Sequence, residues 1–535
     1  MNYDATNSDT MKHTLRLGIW GFGRVGKAAA LFFARQGHQI TVMDSRVLTA
    51  EEQTLLKDNQ IDFIPQDNPA AFFETHDIIL PSPGIDLAPW KSYSHKTVTE
   101  LDLFSDAFIG SLVAITGTVG KTTSTTLLSQ LLTAAGKAPL TGGNIGIPMF
   151  TLLTEQPMAE QSSSEDSSIK RSTIEQQITE KPMAELSSTE LSTTNRSTTD
   201  RSTTDRSTTQ QLTTPKSNTP LALLEVSSFQ LECCRHFAPD LAIWTNFFSN
   251  HLDRHANLNE YFQAKKQMLN HQRPDQHALL NADLVIAYPE LLKIPATINL
   301  FTAQDPETLT LPTLSENSSL FFIADRTAYV TRNGTTLELF SLDDTSVITF
   351  PENLLVVGAA LHLLGCDPAA LFKAHDQKLS VPEHRLEPCA RYGTSVFYND
   401  SKATTPQATL AAVKQLAPKP IKLFLGGLGK GIDREPMIRE LAATTVRHIY
   451  CFGKEAEHLA ALCTTYEIAH STYKTLEPAL ADCIEALQPD ELVLFSPSGS
   501  SFDLFKDFED RGRIFKALTR EMLATQSTRS ENQGD

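Results

Sequence analysis

Residues 111–116 read Ser-Leu-Val-Ala-Ile-Thr, an apolar run of strand length. It leads directly into Thr116-Gly117-Thr118-Val119-Gly120-Lys121-Thr122-Thr123 and a helical pattern over 122–135. This succession of strand, glycine loop and helix constrains the fold more than any other stretch of the chain. Its loop turns backbone N–H groups toward one point, and the helix N-terminus adds partial positive charge, so the unit is an anion cradle. Lys121 would neutralise β/γ-phosphate charge, and the hydroxyl of Thr122 suits Mg²⁺. The strict phosphate-loop pattern asks for glycine six residues before the lysine, where this chain has Ile115. The surrounding elements still make a nucleoside triphosphate the expected ligand, held by Gly117, Thr118, Gly120, Lys121, Thr122 and Thr123.

A strand ending in such a loop belongs to a mostly parallel α/β sheet. Residues 220–225 and 241–245 are read as further strands of that sheet. Residues 421–425, 448–452 and 491–495 are buried-strand candidates of a later sheet. Near the start, an apolar run over 15–20 leads into Gly21-Phe22-Gly23-Arg24-Val25-Gly26, a helix-like run over 27–36 and a strand over 40–43 ending at Asp44. Literally this is a dinucleotide-binding turn, with Asp44 placed to accept from a ribose or a base. A Rossmann-like turn holding no dinucleotide is equally compatible with it, and an NAD(P)-dependent oxidoreductase built on it would leave the second glycine loop without a purpose. Linkers are expected near Phe104 and near Val381-Pro382.

Two later clusters can complete a metal site beside the phosphate loop. Glu225 ends a strand and opens Glu225-Val226-Ser227-Ser228-Phe229-Gln230-Leu231-Glu232. After the strand over 241–245 come His251-Leu252-Asp253-Arg254-His255 and then Tyr261-Phe262-Gln263-Ala264-Lys265. A carboxylate and a histidine at strand ends suit a cation and a γ-phosphate. Read blandly, the histidines are satisfied loop residues and Lys265 is a solvated lysine.

Residues 151–219 differ from the rest: 29 of these 69 residues are Ser or Thr, and none is Phe, Trp, Tyr or Gly. TEQPMAEQSSSE from Thr154 recurs as TEKPMAELSSTE from Thr179, and RSTTD starts at Arg196 and again at Arg201. Such composition cannot bury enough apolar surface to offset its ordering entropy, so a disordered insertion is expected. The formal net charge, 46 − 63 = −17, argues against a nucleic-acid coat. Seven cysteines over a long chain read as free thiols in a reducing compartment. With no secretory h-region at the start and no membrane-length apolar stretch, a cytoplasmic protein is expected.

The motifs occur in one order: TGTVGKTT, GGNIG over 142–146, EVSSFQLE, HLDRH with YFQAK, EHRLE over 383–387, NDSKAT over 399–404, LGGLGKGID over 425–433, and SPSGSSFDLFKDFEDRG over 496–512. That order resembles the Mur ligase family, over roughly residues 15 to 523, and NDSKAT and SFDLFKDFE point to its D-glutamate-adding branch. The resemblance implies three α/β domains: a Rossmann-like N-terminal domain over 1–104, a central P-loop ATPase-like domain over 105–381 carrying the insertion, and a Rossmann-like C-terminal domain over 382–535. It implies ATP-dependent addition of D-glutamate to UDP-N-acetylmuramoyl-L-alanine in peptidoglycan precursor synthesis, by a monomer that neither inserts into membranes nor binds nucleic acid. A sister ligase with another amino acid, a folylpolyglutamate-type ligase, or a non-enzymatic nucleotide-binding relative are its alternatives.

Carried over by motif, Gly23, Arg24, Asp44, Arg46, Gly84, Asn144 and Ser227 would hold the UDP-sugar. Lys121, Thr122, Asn353, Arg385 and Asp400 would serve ATP. Thr122, Glu225, His251 and Lys265, the last as a carbamate, would hold two Mg²⁺ ions, and Lys402 would act on the acyl phosphate. Thr404, Lys430, Ser501, Phe502 and Phe508 would surround D-glutamate. The chain departs from the family pattern at Val119 and Asn250, at Glu352, where a His usually precedes Asn353, and at Thr405.

Overall fold

The structure, a computed structural model, describes residues 15–144, 146–154, 219–248, 250, 254–347, 349–429 and 431–531. Its strands form three sheets. The first contains β1 (Arg16–Trp20), β2 (Gln39–Asp44), β3 (Asp62–Pro65) and β4 (Ile78–Pro81), all parallel, in the order β3-β2-β1-β4. The second has nine strands: β5 (Ser111–Thr116), β6 (Leu140–Gly143), β7 (Leu221–Glu225), β8 (Leu241–Trp244), β9 (His277–Asn281), β10 (Thr297–Thr302), β11 (Leu320–Ala324), β12 (Thr327–Arg332) and β13 (Thr335–Ser341). Among the described residues, β12 is the strand that runs opposite to the rest, pairing antiparallel with both β11 and β13. The third holds β14 (Glu387–Tyr392), β15 (Ser395–Asn399), β16 (Ile421–Leu425), β17 (Val446–Phe452), β18 (His470–Tyr473) and β19 (Leu492–Phe495), with β14 the antiparallel edge.

The chain divides into two compact units, one built on the first sheet and one containing the other two. In the first unit, β1 is buried over Leu17–Trp20 and packs against the helix Arg24–Arg35, whose Ala29, Ala30 and Phe33 face the core. Two results differ from the sequence reading. Phe104 is not in a linker: it is fully buried in the helix Glu100–Ala107, which a Thr99–Asp102 capping box starts, and the division between the units falls after Ile109. The apolar run Leu101, Leu103 and Phe104 outweighs the polar residues around it.

The second correction concerns the expected insertion, whose first four residues belong to the helix Met149–Thr154. Leu152 is buried, Leu153 packs against the first unit's core, and the preceding Phe150 lies fully within that core. Truncating Phe150 to alanine would cost about 3–5 kcal/mol, which shows how firmly this short helix is attached. The apolar content ends there, and residues 155–218, including both sets of repeats, lie outside the described residues.

In the second unit, β5 sits between β7 and β8, each parallel to it, so the strands over 220–225 and 241–245 do flank the phosphate-loop strand. That arrangement brings the C-terminal ends of all three strands to one edge, where open α/β sheets bind ligands. Among the described residues no helix is long and apolar enough to cross a membrane.

Candidate functional site

The phosphate loop occupies residues 117–120, between β5 and the helix Lys121–Ala134. Gly117 and Gly120 have φ of +149° and +85°. A Cβ on Gly117 would lie 2.0 Å from Thr245 Oγ1, and one on Gly120 would lie 2.6 Å from Asn353 Oδ1. Both glycines are therefore required, by conformation and by crowding.

The side chain of Asn246, just past β8, holds the loop in shape. Its Oδ1 accepts from the Thr118 and Val119 N–H groups at 3.1 and 2.9 Å, and its Nδ2 donates to Val119 O at 3.1 Å. Thr245 Oγ1 adds a 2.8 Å bond to the same carbonyl. The sequence reading did not single out either residue. The available signal was their position at the end of a strand flanking the loop.

Lys121 curls back on the loop, its Nζ donating to Gly117 O at 2.7 Å and Thr118 O at 3.1 Å. Burial lowers its pKa to about 8 against the pull of Glu225. Lys265 is no solvated lysine: it is 1% exposed, donates to Thr116 Oγ1 at 3.1 Å and Gly117 O at 3.0 Å, and lies over the Tyr261 ring. Desolvation, with Lys121 as a second cause, holds its pKa well below that of an ordinary amine.

Glu225, at the end of β7, is 1% exposed. Its Oε1 accepts from Asn144 Nδ2 at 2.8 Å, while Oε2 is buried with no hydrogen-bond partner. A buried, unpartnered carboxylate oxygen is costly unless a cation or donor meets it. Oxygen donors from Glu225 and Thr122 fit the hard-cation chemistry of Mg²⁺. Asn144 is thus bonded to Glu225, and Ser227 caps the short helix Ser228–Leu231 in a capping box with Gln230. His255 is a satisfied buried histidine, 3.0 Å from Ser228 Oγ and stacked on Phe229. His251 lies outside the described residues.

Asn353 reaches the loop from the helix Pro351–Leu363, with its Nδ2 on Thr349 Oγ1 at 2.9 Å. From the segment before the third sheet, the Arg385 guanidinium donates to Thr122 Oγ1. Asp400, after β15, accepts from Leu386 N–H at 3.1 Å and Ser496 Oγ at 2.7 Å, and burial raises its pKa to about 7. Lys402 packs with Nζ 3.4 Å from the Phe508 ring centroid, and burial and Arg385 bring its pKa down to about 7. Thr404 is half-buried beyond it, Ser501 is buried at 2% exposure and Phe502 is exposed, while Lys430 lies outside the described residues.

In the first unit, the glycine turn is organised differently. Gly21 has φ of +98°, and a Cβ on Gly26 would lie 1.9 Å from Gly21 O. Around Gly23 and Gly84 a Cβ would meet nothing within 4 Å, so a ligand can approach the backbone there. Arg24 is exposed. Asp44 Oδ2 accepts the Phe22 N–H at 2.6 Å, and Arg46 pairs with Glu52 at 3.0 Å. Glu52 also meets Lys27, and these two partners hold its pKa down at about 2.

Known proteins agree with this layout. Residues 16–92 match the model of a MurD-like N-terminal domain of Mur ligases, 115–349 the Mur ligase middle domain, and 384–499 the Mur ligase glutamate ligase domain. The chain is 28% identical over 516 residues to a protein of Koribacter versatilis named UDP-N-acetylmuramoylalanine--D-glutamate ligase, covering 95% of this chain and 97% of that one. A protein of the same name from Acidobacterium capsulatum is 29% identical over 507 residues, covering 94% and 95%. Among solved structures, MurF ligase from Thermotoga maritima in complex with ADP superposes with a TM-score of 0.51 at 12% identity, over 96% of this chain and 97% of that one. With its first sheet, phosphate-loop sheet and last sheet each matched in turn by a domain of the same enzymes, the chain belongs to the Mur ligase family.

Proposed function

We propose that this chain is an ATP-dependent ligase that joins D-glutamate to UDP-N-acetylmuramoyl-L-alanine in peptidoglycan precursor synthesis. The observation that carries the reading is the convergence of Lys121, at the start of the phosphate-loop helix, buried Glu225, at the end of β7, and buried Lys265, from the helix Leu258–Asn270, with Arg385 brought onto Thr122. The names borne by the Koribacter and Acidobacterium relatives support the choice of substrates.

The chemistry follows from what these groups can do. A carboxylate is too poor an electrophile for an amine, so ATP first converts the L-alanyl carboxylate into an acyl phosphate. Lys121 would leave the loop carbonyls for the β- and γ-phosphates, and the N–H groups of the loop would take phosphate oxygens. Arg385 brings a second fixed positive charge to the γ-phosphate side. The amine of D-glutamate then attacks the activated carbonyl, and collapse of the tetrahedral intermediate releases phosphate. Lys402, Thr404, Ser501 and Phe508 are proposed to hold the amino acid, together with Phe502 and Lys430.

Glu225, Thr122 and His251 would hold two Mg²⁺ ions, which supply charge neutralisation of the transferring phosphoryl group. Lys265 is proposed to be carbamylated. Its desolvated amine is driven toward the neutral form that can attack CO₂, and the product is an anion that ligates a cation. On the first sheet, Gly23, Arg24, Asp44, Arg46 and Gly84 are proposed to contact the uridine part of the UDP-sugar. The test is phosphate release from ATP with both substrates present. Release that needs UDP-N-acetylmuramoyl-L-alanine and D-glutamate together is expected. Release that ignores D-glutamate, or answers to another amino acid in its place, would overturn the assignment.

A further inference from the structure

The loops that follow β15, β16 and β19 are tied to one another by side chains that no proposed role uses. Arg434 is 2% exposed, and its guanidinium donates to Gly426 O at 3.2 Å and Gly427 O at 2.9 Å. The same group pairs with Glu455 at 3.3 Å, and the other oxygen of Glu455 accepts the Gly429 N–H at 2.9 Å. Arg434 and Glu455 thus grip residues 426–429 from both ends. This loop is zipped in turn to its neighbour: Leu428 and Ser500 exchange two backbone bonds of 2.9 Å, and Gly426 N–H donates to Pro497 O at 3.0 Å.

A second buried arginine fastens the other side. Arg511 is fully buried and donates to Gly499 O at 2.9 Å, to Ser401 Oγ at 3.0 Å and to Ser401 O at 2.5 Å. Ser498 N–H reaches Ala403 O at 2.9 Å, which closes the ring between the loops after β15 and β19. Crowding leaves little slack, since a Cβ on Gly499 would lie 2.3 Å from Arg434 Nη2 and one on Gly427 2.4 Å from Ser500 O. Thr404 and Ser501, two residues proposed to meet the amino acid, stand on this platform.

Acidic groups offset the two buried guanidinium groups: Arg434 pairs directly with Glu455, and Asp503 acts on both Arg434 and Arg511. We propose that Arg434, held by Glu455, is a positioning residue that sets affinity for the incoming dicarboxylic amino acid, by fixing residues 426–429 against 498–501. This rests on the D-glutamate reading above.

Arg434→Met, Arg434→Lys and Glu455→Gln test it, with KM measured separately for ATP, UDP-sugar and D-glutamate. Hydrogen exchange of residues 426–433 is followed in the same full-length proteins. For Arg434→Met, a rise in the D-glutamate KM of about tenfold or more is expected, with the other two KM values nearly unchanged. Glu455→Gln, at a more exposed position, should show the same selectivity at smaller size, and Arg434→Lys should recover part of the loss. Faster exchange over 426–433 should accompany each loss. Equal rises in all three KM values, or an unchanged D-glutamate KM with unchanged exchange, would overturn the proposal. If the wild-type chain does not use D-glutamate at all, the functional reading fails separately. Exchange in Glu455→Gln then decides the clamp: faster exchange upholds it, and unaltered exchange removes it.

Discussion

Two glycine turns in this molecule look alike in sequence and differ in charge. Each follows the first strand of a parallel sheet and opens a helix, and each relies on glycines at positive φ. At the first, an acidic side chain occupies the turn: Asp44 takes the Phe22 N–H and pairs with Arg46, and Arg46 and Lys27 both meet Glu52, so two carboxylates balance two cations. At the second, the side chain on the loop N–H groups is the neutral Asn246, and two amines, half-buried Lys121 and buried Lys265, converge on the loop carbonyls. A phosphate would meet a carboxylate at the first turn and cations at the second. Glycine spacing builds the turn; the residue at the end of a strand beside it in the sheet decides what the turn accepts.

The comparison breaks most sharply at Lys121. Lys121→Ala should lower turnover on the order of 10³-fold by removing the cation that faces the transferring phosphate. UDP-sugar affinity, measured by calorimetry, should stay within about twofold because that site is proposed at the other turn. Near-normal phosphate release from the purified variant would remove the basis for distinguishing the turns.

Lys265→Ala should cost on the order of 100-fold in turnover, the scale of losing a group that organises a metal site. A short carboxylic acid supplied in solution should restore part of it by replacing the missing anion. Full activity without that addition would retire the carbamate.

A pH series separates the units more gently. As pH rises through about 7, Lys402 loses its positive charge and Asp400 gains a negative one, both changes caused by burial. Each makes the last sheet's site less welcoming to a dicarboxylate, so D-glutamate affinity should fall about tenfold between about pH 6 and pH 8.5, equivalent to ~1.4 kcal/mol. UDP-sugar affinity should stay flat over the same range, since Glu52 ionises at about 2. Affinity for D-glutamate that rises with pH would contradict the assignment of these two groups.

The smallest effect is expected from Asp44→Ala. Losing one hydrogen bond to the turn, of about 1 kcal/mol, should weaken the UDP-sugar about fivefold and leave the ATP KM unchanged. A tighter UDP-sugar would mean that the carboxylate opposes the ligand rather than orders the turn.

Much of this was legible in the chain itself. The phosphate-loop strand, its helix and its two flanking strands follow from apolar runs of strand length and from glycines at fixed offsets, because both signals are local. The motif order led to the family and to Lys265, whose own neighbourhood looks like an ordinary amphipathic helix. The linker placed at Phe104 failed because a helix of eight residues with a capping box hides among polar residues, and only burial of its apolar side reveals it.

Tertiary structure alone decided which groups close the site. Asn246 meets Thr118 across 128 positions, Arg511 meets Ser401 across 110, and Arg385 meets Thr122 across 263. No period or spacing rule reaches that far. Asn246 meets the loop because neighbouring parallel strands bring their C-terminal ends to one edge of a sheet, and Arg511 and Arg385 arrive from a helix and from the segment before the third sheet; backbone groups left unpaired at strand ends must find side chains once water is excluded. The sequence determined that there would be a phosphate loop and a sheet to hold it; packing determined that its donors face Asn246, that the Lys265 amine is dry, and that two buried arginines hold the loops of the last sheet together.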